Sequence, residues 1–459
     1  MTEFAVPTPL EWREAAIKAL KERPLESLIH LDADHLATKP LYGAANGGEP
    51  VFAPRPSDSE GRAWDVRALN EGDDAEGLNR AVLTDLENGA ASVLIAGPVA
   101  ADAAKLARAL DGVALELAPV ALDAGFDGVK AAEALSAAAK GSPRAKLAFH
   151  LDPISAYAEA GGAPSDFAGI MAETAKAAAT HAATYPEATL FMASGRVAHE
   201  AGGSIAQELA FAASSAVAYV KTAVEAGLSV EAALKGVVLG VAVDQTYFDS
   251  LAKIRALRLI WASVSKAFGA EVPAIIEARS SRRMLSARDP WPNMLRLTAA
   301  GFAGAVGGAD AVVLDGFTRA AGLPDDFAKR QARNTQLILM EESNLGRVDD
   351  PASGSWYLDA RTRELAEAAW AEFQVYEAEG GVIACLQGGV IQPRIARARD
   401  MAEKAFKDGA AQIVGVTKFV DPDVRPAPVT PAPAAPVAVG AFEALAPIRF
   451  AAAFEEAAQ

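Results

Sequence analysis

A barrel of eight parallel strands, each followed by a helix, is the fold class that this 459-residue chain predicts. Three observations carry it. Short apolar runs of strand length recur along the chain, helix-length segments with apolar stripes separate most of them, and the chain is long enough to bury a large core. Parallel neighbours need crossover connections, and a helix between successive apolar runs supplies them. A doubly wound open sheet is the runner-up.

The first element is a short helix expected over Glu11 to Lys21. Ala37 to Asp65 is rich in Gly and Pro and has no period, so residues 1–70 read as a helix followed by an extended arm that wraps another surface. Strands are then placed at Ala91–Ala96, Val113–Leu117, Lys146–Leu151, Thr189–Ala193, Gly236–Val243, Pro273–Glu277 and Ala311–Leu314. An eighth is placed near Arg347-Val348, which gives a barrel with following helices over residues 71–420. Between the strands, Ala100–Leu110 reads as a helix. Ile205, Leu209, Ala212, Ala216, Val220 and Ala223 line one face of another, which Gly227 can end in a left-handed conformation. Leu365, Ala369, Phe373 and Tyr376 repeat that spacing before Gly380-Gly381. The many alanines fit helices packed closely in an α/β layer.

After Val420 the prolines at 422, 426, 428, 431, 433 and 436 alternate with Ala and Val, so residues 421–459 read as a semi-rigid Pro/Ala-rich linker and tail. Such a linker leads either to a second body or to a tail that docks on the first domain or on a partner.

Lys plus Arg number 43 against 59 Asp plus Glu, a net charge of −16 that disfavours nucleic acid and anionic membrane surfaces. The single cysteine, Cys385, excludes an intrachain disulfide and a multi-Cys metal cluster. Residues 1–13 do not look like a secretory signal and no apolar run has membrane-spanning length, so a cytoplasmic protein is expected. The five histidines lack the i,i+4 spacing of a helical metal site, and no metal is expected. Nucleophile-elbow, P-loop and dinucleotide-turn motifs are absent from the sequence. Glu341 and Glu342 are adjacent and read as a solvated face.

Dense, irregularly spaced polar residues at 323–357 exceed what amphipathic packing requires: Leu323-Pro324-Asp325-Asp326-Phe327, Ala332-Arg333-Asn334-Thr335-Gln336-Leu337, Glu342-Ser343 and Asp350-Pro351-Ala352-Ser353-Gly354-Ser355. Together with Lys39-Pro40-Leu41-Tyr42, Asp85-Leu86-Glu87-Asn88-Gly89-Ala90, Glu200-Ala201-Gly202-Gly203, Gln207-Glu208-Leu209-Ala210 and Lys253-Ile254-Arg255-Ala256-Leu257-Arg258 with Trp261, their order resembles the acyl-CoA mutase family typified by methylmalonyl-CoA mutase, over most of residues 10–419. The resemblance implies a barrel whose axis, in active members, receives the CoA tail and presents the acyl group to adenosylcobalamin for a radical rearrangement.

The departures from that family fall on the pocket lining. Where active members carry Ser-Gly-Tyr-His, this chain reads Ser194-Gly195-Arg196-Val197, so Val197 stands at the histidine position and His199 lies two residues later. Ser59 stands for a tyrosine ahead of Arg62-Ala63-Trp64. Arg279-Ser280-Ser281-Arg282 and Val313-Leu314-Asp315-Gly316 each lack the family's histidine. None of the five histidines follows an aspartate by two residues, as the cobalt-ligating loop of the family's cobalamin domain requires, so no cobalamin-binding domain is expected here. The resemblance thus implies the small subunit of a heterodimeric methylmalonyl-CoA mutase. Catalytic positions are lost at Val197 and Ser59, and Arg196, His199, Arg279 and Ser281 remain as a residual pocket. No cofactor is expected on this chain, with adenosylcobalamin and acyl-CoA handled through the large subunit. Arg333, Asn334, Thr335 and Gln336 would be structural. The alternatives are a substrate-binding subunit of an acyl-CoA mutase, such as one for isobutyryl-CoA, that uses a separate cobalamin-binding chain, and a stand-alone scaffold.

Overall fold

A computed structural model of the chain describes residues 7–21, 23–56, 62–431 and 439–456. Eight parallel strands form a closed barrel: β1 (Asp65–Glu71), β2 (Ser92–Ala96), β3 (Val120–Asp123), β4 (Leu147–Leu151), β5 (Thr189–Ser194), β6 (Val237–Val243), β7 (Ile276–Ser280) and β8 (Ala311–Val313). Each pairs with the next, and β8 closes on β1 with Ala311 opposite Asp65. This is the expected (β/α)8 architecture, and the open sheet is set aside.

Three strand placements are corrected. Val113–Leu117 is a turn, closed by Leu117 N–H and Ala118 N–H donating to the Ala114 carbonyl, and the strand starts at Val120. The run predicted from Pro273 begins at Ile276, because proline has no N–H to give a ladder. The eighth strand is Asp65–Glu71, which starts inside the segment read as arm, whereas Arg347 and Val348 lie in a bend with Val348 exposed. Asp65, Arg67, Asn70 and Glu71 hid that strand from an apolar criterion.

Strand alternation explains them. Val66, Val93, Ile95, Val120, Leu147, Phe149, Val241, Ile276 and Val312 belong to the main core between sheet and helices, while Leu94, Ala121, Ala148 and Val313 form a separate cluster. Side chains of period two point to opposite faces, so the second set lines the barrel axis. Arg67, Glu277 and Arg279 share that inward parity. Gly240 is inward on β6, and a Cβ there would lie 2.8 Å from Met192 Sδ and 2.9 Å from Ser194 Oγ.

The helices follow their stripes. The helix Ile205–Glu225 buries Leu209, Ala212, Ala216, Val220 and Ala223, starts in a Ser204/Gln207 capping box, and is followed by Gly227 at φ +102°. The helix Trp356–Ala378 buries Leu365, Ala369, Phe373 and Tyr376 and packs against it. By contrast, the N-terminal helix Pro9–Leu20 buries no residue at all. The arm is pinned by Arg255, which donates to the Val51 carbonyl and pairs with Asp350 and Asp359. Glu341 and Glu342 are exposed. No helix among the described residues is long and apolar enough to cross a membrane.

The tail docks on the barrel. Val429–Thr430 pairs with Leu323–Pro324, and beyond residues 432–438 the N–H groups of Val439, Ala441, Phe442 and Leu445 donate to carbonyls of residues 158–161. Ile448 N–H reaches the Glu200 carbonyl, and Glu455 accepts from Ser286 Oγ and the N–H groups of Ala287 and Arg288.

Candidate functional site

The ends of β2, β3, β4, β5 and β7 open into a cavity of about 700 Å³ at the C-terminal mouth of the barrel, where folds of this architecture place their sites. Gly97, Asp123, His150, Asp152, Ser194, Arg196, Val197, Glu200, Arg279 and Arg282 line it, and Leu445 and Pro447 of the tail close one side.

Below the mouth the axis is filled by charge. Asp65 pairs with Arg67 at 2.7 Å, Arg67 with Glu277 at 2.7 Å, Glu277 with Arg279 at 2.6 Å, and Arg279 with Asp123 at 2.6 Å. The order runs from the start of β1 to the end of β3, so one ionic column spans the barrel from its N-terminal to its C-terminal end. Burial alone would raise the Glu277 carboxyl, but Arg279, His150 and Arg67 outweigh it and hold it far below the carboxylate range. Burial likewise raises Asp123, and Arg279 reverses the sign.

His150 sits on β4 at a register irregularity between Ala148 and Leu151, with φ +46°. It is 4% exposed and neither ring nitrogen has a partner among the described residues; burial brings its pKa down to about 4, so the ring is neutral. Asp152, two residues on, accepts from Tyr219 Oη at 2.7 Å and from Ser155 N–H, and burial pushes it up to about 7.

The residual pocket expected from the sequence divides in two. Arg196 and Arg279 face the cavity, and Val197 lines it. His199 and Ser281 lie behind it, 1% and 0% exposed. His199 Nε2 is 2.8 Å from Ser281 Oγ and its Nδ1 is 3.3 Å from Glu208 Oε2, so a proton on Nδ1 satisfies both contacts. Glu208 also takes Lys253 Nζ at 2.7 Å and Ala242 N–H at 2.6 Å. Burial raises the Glu208 carboxyl, and Lys253 and His199 bring it down to about 2. The Ser–His–Glu order matches a nucleophile relay, but a hydroxyl without solvent access meets no substrate. Here it ties the segment after β5 to β7. Ser59 lies outside the described residues.

Sequence reasoning missed Arg67, Asp123, His150, Asp152 and Glu277. A signal existed in Ile276-Glu277-Ala278-Arg279-Ser280, where two charges alternate with small and apolar residues inside a strand. Such alternation marks a polar inward face. Arg333 pairs with Asp85 at 2.5 Å and Gln336 accepts from Trp64 Nε1 at 3.2 Å, so this polar stretch fastens its helix to the barrel. Cys385 is buried, which pushes its thiol up to about 11.

A profile of the methylmalonyl-CoA mutase family matches residues 92–453. The chain is 40% identical over 425 residues to the methylmalonyl-CoA mutase small subunit of Streptomyces virginiae, covering 90% of this chain and 69% of that one. It is 34% identical over 385 residues to the small subunit of Propionibacterium freudenreichii subsp. shermanii, covering 82% and 60%. To the methylmalonyl-CoA mutase of Escherichia coli K12 it is 32% identical over 224 residues, 48% of this chain and 31% of the other. It thus spans 60% to 69% of the length of these two small subunits. On the match over residues 92–453 and the identity to these small subunits, this chain belongs to the methylmalonyl-CoA mutase family.

Proposed function

We propose that this chain is the small subunit of an adenosylcobalamin-dependent methylmalonyl-CoA mutase, an isomerase subunit that carries no chemistry of its own and stabilises a large subunit in a heterodimer. The ionic column along the axis is the observation that carries the reading. A barrel that threads a CoA tail needs an open axis, and here Arg67, Glu277 and Arg279 occupy it with paired charge. Displacing them would strand buried ions at a cost of several kcal/mol, roughly 3–5 for breaking one such pair. The pocket lining agrees. Val197 has no proton to give or take at the histidine position, and Arg196 stands where active members carry tyrosine.

The residues of this chain do not fit cobalt ligation. His199 is buried within the barrel wall, His181 is buried against Phe149, His30 and His35 do not line the mouth, and His150, which does, is 4% exposed and does not stand in the Asp-x-His sequence of the family's cobalt-ligating loop. The cofactor and the acyl-CoA therefore belong to the large subunit in this reading.

Partner binding has a physical basis in the arm. A helix that buries none of its residues gains little from its own chain, because helix stability comes mainly from packing an apolar face. Leu10 and Ile17 on it are 64% and 46% exposed. Nearby in sequence, Leu41 and Tyr42 join Phe248, Trp356 and Tyr357 around a shallow surface hollow. Aromatic groups exposed in this way suit an interface core.

The test is co-expression with a large subunit from the same source, followed by co-purification and turnover of methylmalonyl-CoA with adenosylcobalamin. One-to-one association, with turnover that requires the large chain and is unchanged by Arg196→Ala, is expected. Turnover that needs only an added cobalamin-binding chain, or that falls with Arg196→Ala, would make this the substrate-binding subunit instead.

A further inference from the structure

The mouth cavity survives above the plugged axis, and its lining sets Asp102, Asp123, Asp127, Asp152, Glu159 and Glu200 beside Lys130, Arg196, Arg279 and Arg282. Most of its acids are already engaged. Asp123 is paired with Arg279, Asp127 with Lys130, and Asp102 caps the N–H groups of Ala104 and Lys105. Both Glu200 oxygens accept backbone N–H groups, from Arg282 and Arg283. Asp152 is hydrogen bonded to Tyr219 and Ser155.

Among the described residues, the cations Lys130, Arg279 and Arg282 have acidic partners and Arg196 does not. The Arg196 guanidinium has no ion pair or hydrogen bond among the described residues, and its Nε is buried without a partner. Arg282 pairs through Nε with Asp315 at 3.2 Å and is further held as a cation by Glu71 and Glu200, but its two terminal nitrogens make no ion pair among the described residues, on a side chain that is 38% exposed. Three guanidinium groups, from Arg196, Arg279 and Arg282, thus converge on one cavity. Burial is the main influence lowering the Arg196 pKa, and Arg279 and Arg282 add to it while Glu200 and Asp123 oppose it. A fork of N–H donors without an acceptor, in a low-dielectric pocket, is a site shaped for a carboxylate. His150 adds a neutral ring with two unpartnered nitrogens, at 4% exposure, in the same lining. Glu159, the remaining acid, is raised by burial first and by Asp123 second.

We propose that the cavity at the barrel mouth is a binding site for a small organic carboxylate that carries no CoA group, held by the Arg196 and Arg282 guanidinium groups beside the ring of His150. A volume of about 700 Å³ accommodates such a molecule with room for water, and the column beneath denies it a thioester tail. Leu445 and Pro447 form part of the wall, so the docked tail helps to enclose the ligand. The occupied site gives the Arg196 guanidinium the acceptor it lacks among the described residues. This assignment does not depend on the partner chain or on turnover, so it can fail while the subunit reading stands, and the converse.

The experiment uses the purified full chain, titrated calorimetrically with succinate, with inorganic phosphate and with an acyl-CoA, with the melting midpoint followed in parallel. Saturable one-to-one succinate binding tighter than ~1 mM is expected, with a rise in midpoint. It should weaken at least tenfold in Arg196→Gln and be unchanged in Arg80→Gln, whose side chain is 72% exposed elsewhere on the surface. Arg196 has no partner to lose, so its variant should melt as the wild type does. Ala156→Leu, which fills the cavity from its wall, serves as the second variant and should also abolish binding. Absence of both an isotherm and a midpoint shift with succinate overturns the proposal. So do equal affinities in wild type and Arg196→Gln, and tighter binding of phosphate or of the acyl-CoA than of the free acid.

Discussion

Substituting Glu277→Gln probes the ionic column at its centre. Glu277 is 1% exposed and accepts from Arg67 Nη1 at 2.7 Å and from Arg279 Nε at 2.6 Å, so one carboxylate offsets two buried cations. Glutamine keeps the shape and one acceptor oxygen but removes the charge, and its amide points N–H at a guanidinium. Breaking a buried pair costs about 3–5 kcal/mol because the stranded ion keeps its desolvation penalty. Asp65 and Asp123 still hold the outer sides of the two arginines, which places the expected loss near the lower end, roughly 3 kcal/mol. Urea denaturation of the purified chain, read by fluorescence and circular dichroism, measures it. Adding Arg67→Met should restore part of the loss, since removing a buried cation with its anion is often close to neutral. The coupling between the two changes should exceed about 1 kcal/mol. A loss below about 1 kcal/mol for Glu277→Gln with no coupling would refute the view that the column is a desolvated, mutually dependent unit.

Acid sensitivity follows from the depressed groups. Glu208 and Asp244 titrate at about 2 in the fold, because Lys253 and His199 overcome the effect of burial, so their stabilisation is complete above the unfolded values and lost as pH falls through about 2. His150, lowered to about 4 by burial, adds stability that is complete above its unfolded value near 6.5 and is lost as pH falls through 4. Asp152, raised to about 7 by burial, acts with the opposite sign, since the fold binds its proton more tightly and stability declines as pH rises from 3.8 to 7; Asp152→Asn should therefore gain more in melting midpoint over that interval than the wild type. Arg255→Lys leaves one ammonium to serve Val51, Asp350, Asp359 and Thr362, and should cost about 3 kcal/mol and open the arm to limited proteolysis. Glu455→Ala removes the acceptor that holds Ser286, Ala287, Arg288 and Arg449, so the tail should be cleaved by protease at a higher rate, with about 1.5–3 kcal/mol lost from its docking and little change in the barrel's own melting.

The barrel was legible because most of its strands are apolar on both faces and its helices carry stripes of period 3.6. Leu209, Ala212, Ala216 and Val220 had to be buried whatever they packed against, and a glycine such as Gly227 had to end their helix. The family was legible from motif order. Asp65–Glu71 was not legible as a strand, since inward-facing charge imitates a loop until the partner charges are known. Nor could order along the chain bring Arg67, Glu277, Arg279 and Asp123 together: the residues are up to 212 positions apart, and only closure of the barrel aligns them on one axis. The same closure separated Arg196 from His199, three residues apart, by turning one toward the mouth and the other into the wall. Local sequence fixes what a segment prefers through its periodicity, its caps and its turn residues. Which charges meet in a dry interior is a property of distances across the fold, and those are set only when the strands have found their neighbours.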